Sequence, residues 1–84
     1  MPDHPHPAIA QRLKRANGHL ETIIEMIEKG RSCTAIAQQL RAVEGAIESA
    51  RKALIHDHIS HSLKASGAKG SAALKDFRTI SKFL

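Results

Sequence analysis

The stretch SCTAIAQQLRAVEGAIESARKALIHDHISHSLK, residues 32–64, decides the fold. Cys33, Ile36, Leu40, Val43, Ile47, Ala50, Leu54, His58 and His61 recur at steps of three and four, the spacing of one helical face and close to a heptad seam. Ser32 stands where a helix N-cap is wanted, its hydroxyl able to accept a first-turn backbone N–H. No glycine–proline stop follows before about Lys64. The segment therefore predicts one helix of roughly 48 Å at 1.5 Å per residue. A rod of that length in an 84-residue chain leaves apolar surface uncovered. An obligate oligomer is the expectation.

Working outward, Lys29-Gly30 ends a preceding helix that starts at Pro7 or Ala8. Its stripe is Ile9, Leu13, Ala16, Leu20, Ile23 and Ile27. Before it, Pro2, Pro5 and Pro7 alternate with Asp3, His4 and His6, a composition that cannot start a helix and predicts a short extended tail over residues 1–7. On the other side, Ala65-Ser66-Gly67-Ala68-Lys69-Gly70 predicts a flexible linker. Ser71 then caps a third helix with Ala73, Phe77, Ile80 and Leu84 on one face. The reading is all-α, one domain over residues 1–84.

Composition bounds the function. Cys33 is the single cysteine, so no disulfide forms within the chain and a reducing, cytoplasmic setting is expected. Trp and Tyr are absent, and the core must be aliphatic. A net charge of +5 and a pI near 9.9 favour an anionic partner, nucleic acid first. No apolar run approaches a membrane span, and the N-terminus has no hydrophobic signal region, so neither a membrane protein nor export is expected.

The chemistry-bearing residues lie on the long stripe. Cys33 and His58 are 25 positions apart, about 37 Å on a continuous helix, too far to share a site within one chain. Two copies packed antiparallel about a two-fold axis bring Cys33 of one to His58 of the other, twice per dimer. The axis then crosses near Gly45, flanked by Ala42 and Ala46, where two backbones can approach. One thiolate with imidazoles suits Zn(II), Ni(II), Co(II) or Cu(I). His61 shares the helix turn of His58. Ser62 can face the same site but is a poor metal ligand. His4 and His6, on the tail, can fold over and close it. The competing reading is that these histidines are surface groups near a helix end, favoured by its dipole. His19 and His56 read as surface or DNA-facing groups.

Arg12-Leu13-Lys14-Arg15-Ala16-Asn17-Gly18-His19-Leu20, then Cys33, then Gln38-Gln39-Leu40-Arg41-Ala42-Val43, then His58-Ile59, resembles the CsoR/RcnR/FrmR family of bacterial repressors, from about Ile9 to Leu84. The resemblance implies a three-helix protomer, an antiparallel dimer with a four-helix-bundle core, and a dimer-of-dimers tetramer. It implies operator DNA binding without a helix-turn-helix and an inducer site between protomers at Cys33 and His58. Copper-type members carry a second cysteine where this chain has Ser62. Near their acidic position behind the histidine, this chain has Arg78. Both departures speak against Cu(I), and a single cysteine speaks against persulfide sensing. Two inducer readings remain. In the nickel/cobalt type, His4 or His6, Cys33, His58 and His61 hold the metal. In the formaldehyde type, a Pro2 amine exposed by loss of Met1 and the Cys33 thiol of a neighbouring chain are bridged by one methylene, releasing water. The His-rich tail and His61 favour metal.

The same resemblance places Arg12, Lys14 and Arg15, with His19, Arg41, Arg51 and Lys52, on the DNA face. Their physical role is phosphate neutralisation, with sequence read partly through DNA shape. Two other classes compete. A metal chaperone or storage protein shares the ligands but has no use for the Arg12/Lys14/Arg15 cluster. A thiol–imidazole enzyme lacks a substrate cleft and is not expected.

Overall fold

A computed structural model describes the backbone of residues 5–66 and 71–84 and the side chains of 5–62 and 74–84. The fold is all-α, as the periodicity predicts: α1 is Pro7–Glu28, α2 is Cys33–Ser66, α3 is Ser71–Ile80, and a single 3-10 turn, Ser81–Phe83, follows. Pro7 opens α1, a position where its missing N–H costs nothing and its fixed φ suits the helix.

The α1–α2 turn follows from two residues. Gly30 adopts φ +72°, the left-handed region open to glycine. There its N–H donates to the Ile27 carbonyl (3.1 Å) and the Arg31 N–H donates to the Met26 carbonyl (2.9 Å), the paired bonds of a Schellman stop. Ser32 then caps α2. Its Oγ accepts the Ala35 N–H at 3.2 Å, and its carbonyl accepts the Ile36 N–H at 3.1 Å.

α2 outruns its predicted end by two residues, taking in Ala65 and Ser66. Alanine is the strongest helix former, so a helix with no stop signal continues to the residue before Gly67. The rest of the expected linker, residues 67–70, and the capping side chain of Ser71 lie outside the described residues. The expected stripe of α3 does not reach Leu84. The helix gives way after Ile80, where Ser81 Oγ donates to the Arg78 carbonyl (3.0 Å) and the Leu84 N–H closes on the Ser81 carbonyl (3.2 Å). A hydroxyl bonded back to a carbonyl competes with the α pattern and tightens the last turn.

The chain forms two compact units. One is Pro7–Ala50; the other joins the N-terminal residues through His6 to Arg51–Leu84. In the first, the buried residues are Ala16 and Ile23 of α1 with Val43 and Ala50 of α2; in the second, among the described residues, Ile55 is the fully buried side chain. The α2 stripe is thus divided. Val43 and Ala50 are buried, whereas Leu40, Ile47 and Leu54, themselves seven apart, stay 39, 44 and 38 % exposed. The stripe is wider than one neighbouring helix covers. Among the described residues no helix is long and apolar enough to cross a membrane.

Candidate inducer site and basic cavity

Cys33 is the first residue of α2 and its thiol is exposed. The Gly30 stop and the Ser32 cap put it there. His58 lies on the same unbroken helix, in the C-terminal unit, half-buried. Its Nε2 donates to Asp76 Oδ2 of α3 at 2.6 Å. A ring whose Nε2 proton is held by a carboxylate keeps its Nδ1 lone pair for a ligand, and the carboxylate fixes the tautomer and the ring's orientation.

A second imidazole is held the same way. His6 Nδ1 donates to Asp57 Oδ2 at 2.6 Å, with the His6 side chain only 15 % exposed. That contact anchors the start of the chain to α2 one residue before His58. The expected tail over residues 1–7 therefore ends in a fixed point. Pro2 and His4 lie outside the described residues. His61 is exposed and Ser62 half-buried, both engaged in further contacts. Among the described residues, no three His, Cys, Asp or Glu side chains of a single chain come together to hold a metal.

The basic residues divide as well. Arg12, Arg15 and His19, at positions i, i+3 and i+7, share one face of α1. Together with Ala16 of α1 and Ala46 and Ser49 of α2, they line an open cavity of about 400 Å³. His19 is not a plain surface group. It is half-buried, and its Nε2 donates to Gln39 Oε1 of α2 at 2.6 Å. Lys14 and Arg41 are exposed, and so are Arg51 and Lys52, which have further interactions. His56 is exposed.

Sequence reasoning missed Asp76 and Gln39, and missed Asp57 as the partner of His6. Each is the partner of a histidine the sequence singles out. Asp57, next to His58, carried the signal of an acid beside the stripe; Asp76 and Gln39 carried none.

Residues 6–83 match the family described as metal-sensitive transcriptional repressors. The copper-sensing transcriptional repressor CsoR of Mycobacterium ulcerans is 35 % identical over 78 residues, 90 % of this chain and 67 % of that protein. CsoR of Mycobacterium tuberculosis is 31 % identical over 78 residues, 90 % of this chain and 66 % of that one. The copper-sensing repressor RicR of the same organism is 34 % identical over 61 residues, 73 % and 64 % of the two chains. The chain spans about two thirds of the length of these relatives. In fold it is similar to the nickel-responsive transcriptional regulator InrS, with a TM-score of 0.82 and 23 % identity over all of this chain and 98 % of that one. This is a family of repressors and not of enzymes, and on its sequence the chain belongs to the metal-sensitive transcriptional repressors.

Proposed function

We propose that residues 1–84 act as one cytoplasmic, DNA-binding and inducer-sensing domain. It represses transcription from its operator and lets go when a transition metal binds at Cys33 of one protomer and His58 of another. The observation that carries this reading is the His58 Nε2–Asp76 Oδ2 bond, which leaves Nδ1 as the ligand atom. It also answers one objection raised by the sequence. Arg78 is not the group behind the histidine; Asp76, two positions earlier, supplies the acid.

The donor set remains one thiolate with nitrogens, since Ser62 offers no second soft ligand. That composition suits Ni(II), Co(II) or Zn(II) better than Cu(I). The named sensing metals of the relatives, copper and nickel, support a metal inducer as a class. His6, bonded to Asp57 next to His58 in sequence, supports the tail as a source of a nitrogen donor, with His61 the next on α2.

In the repressing state, Arg12, Lys14 and Arg15, with Arg41, Arg51 and Lys52, neutralise operator phosphates. The tail connects directly into α1, which carries the first three. Ligation that recruits the tail shifts α1 and so favours the DNA-incompetent form. The oligomer that brings Cys33 to His58 is an antiparallel dimer, two of which form the tetramer. The heptad of exposed Leu40, Ile47 and Leu54 supports it.

The test is an anaerobic Co(II) titration of reduced protein that starts at Pro2. An intense near-ultraviolet thiolate-to-cobalt band, saturating at one ion per chain and lost in Cys33→Ala, is expected. Operator release should follow the same titration. No band, together with operator release by formaldehyde that requires Pro2 and Cys33, would move the inducer to the methylene-bridge chemistry. A band without preference among duplex DNAs would make the protein a metal chaperone or store.

A further inference from the structure

Within the Pro7–Ala50 unit, α1 packs on α2 through small and aliphatic side chains with one polar exception. The buried residues are Ala16, Ile23, Val43 and Ala50. Burial of such groups is non-directional and does little to choose between neighbouring registers of two helices. The exception is the bond from His19 Nε2 to Gln39 Oε1, 2.6 Å long, with both side chains half-buried. His19 falls three positions after Ala16 and four before Ile23, and Gln39 four before Val43, so the pair lies in line with the apolar contacts. Among the described residues it is the one side-chain hydrogen bond between α1 and α2; the Thr22 hydroxyl bonds within α1, to the Gly18 carbonyl.

A slip of α1 along α2 by one helical turn, about 5.4 Å, sets ridges back into grooves but breaks this bond. A half-buried donor and acceptor left apart then cost more than an ordinary hydrogen bond contributes, so a satisfied polar pair in an apolar interface selects one register. That register governs the basic residues. Arg12 and Arg15 lie seven and four positions before His19, and all three line one cavity against Ala46 and Ser49 of α2. The Nε2 proton of His19 is committed to Gln39 and is not offered to a phosphate. We infer that His19 is a positioning residue of the DNA-binding face: its bond to Gln39 pins α1 on α2 in the register that sets where Arg12 and Arg15 stand against the operator, and the ring itself neutralises no phosphate. The inference rests on the DNA-binding reading above and assigns His19 and the uncharged Gln39 a part in it.

The test is operator affinity at fixed salt, measured on the full chain. His19→Leu and Gln39→Leu should each weaken binding about fivefold, the equivalent of one hydrogen bond. The double variant should be no weaker than either alone, since both remove the same contact. Gln39 carries no charge, so its effect is not lost phosphate neutralisation. His19→Gln puts an amide N–H at the reach of the imidazole Nε2 and should bind within about twofold of wild type. His19→Asn, one methylene too short, should bind as weakly as His19→Leu, and it stands in for that variant if the leucine lowers the melting temperature too far. Val43→Ala thins the same interface and leaves the pin; it should melt lower yet keep operator affinity, which separates positioning from stability. Circular dichroism melts establish that each variant is folded at the assay temperature. Wild-type affinity in Gln39→Leu, additive losses in the double variant, a His19→Gln as weak as His19→Leu, or a loss in Val43→Ala equal to that in Gln39→Leu would each overturn the pin. A wild-type protein that binds no duplex would sink the repressor reading and the pin's role with it, a failure seen before any variant is compared.

Discussion

Asp76 and His58 share one proton-mediated contact, and its removal separates sensing from DNA binding. Asp76→Ala leaves the His58 ring free to turn and to lose the tautomer that keeps Nδ1 available. Loss of such a supporting carboxylate weakens metal affinity on the order of 10–100-fold. Competition with a chelator of known affinity measures it; operator affinity of the metal-free variant should stay within about twofold of wild type, since Asp76 adds nothing to the basic face. Unchanged metal affinity would detach Asp76 from the site. At this scale the sequence singles out candidate donors and is blind to their supports. Cys33 and His58 stand out because a thiol and an imidazole interrupt an apolar stripe. Asp76 does not, because its distance from His58 depends on how α3 returns after residues 67–70, and no periodicity encodes that. Gln39 was equally hidden: it meets His19 across a turn, 20 positions away.

The elements were legible wherever their ends are signalled by one residue's chemistry. Ser32 and Gly30 do so, and both can be tested. Ser32→Ala removes the acceptor for the Ala35 N–H and should cost about 1 kcal/mol. Gly30→Ala has open space for the new methyl, but the φ of +72° strains it, and a loss of about 1 kcal/mol is expected from backbone conformation alone. Denaturant melts of the two variants and of the double variant measure these losses; a Gly30→Ala protein as stable as wild type would mean that the turn relaxes out of the left-handed region. Where an end depends on competition, the sequence was silent. The exit of α2 at Ser66 instead of Lys64, and the break of α3 at Ile80, both reflect small balances between continued α bonding and local alternatives, such as the Ser81 hydroxyl on the Arg78 carbonyl.

For the whole molecule, the exposed Leu40, Ile47 and Leu54 give the oligomer proposal a specific test at Ile47. Ile47 is 44 % exposed in the single chain, so a charge there costs a lone protomer little, whereas an antiparallel pair packed on this stripe buries it unpaired. Ile47→Glu should therefore keep its helical circular dichroism while sedimenting as a smaller species than wild type, with operator binding lost as well. An Ile47→Glu protein that assembles like wild type would move the interface to another face of α2. A salt series on the wild type provides a second check, since log affinity for operator should fall linearly with log salt when several arginines and lysines release counterions.

The tight Gly30–Ser32 turn has a kinetic consequence. It joins α1 to α2 through a few residues, so the buried contacts of the Pro7–Ala50 unit are reached by a short loop closure, and helical hairpins rich in such local contacts form in microseconds to milliseconds. Building the hairpin is then the quick part of reaching the native state. With the proposed antiparallel dimer, the slow part is the meeting of two hairpins with their leucine and isoleucine edges still bare, a bimolecular event. Refolding followed by far-ultraviolet signal should finish early at any dilution, whereas recovery of operator binding should slow as the protein is diluted. A newly made chain would accordingly pass its most aggregation-prone interval as a folded hairpin waiting for a mate, and the cell's concentration of the repressor, rather than its sequence, would set how long that interval lasts.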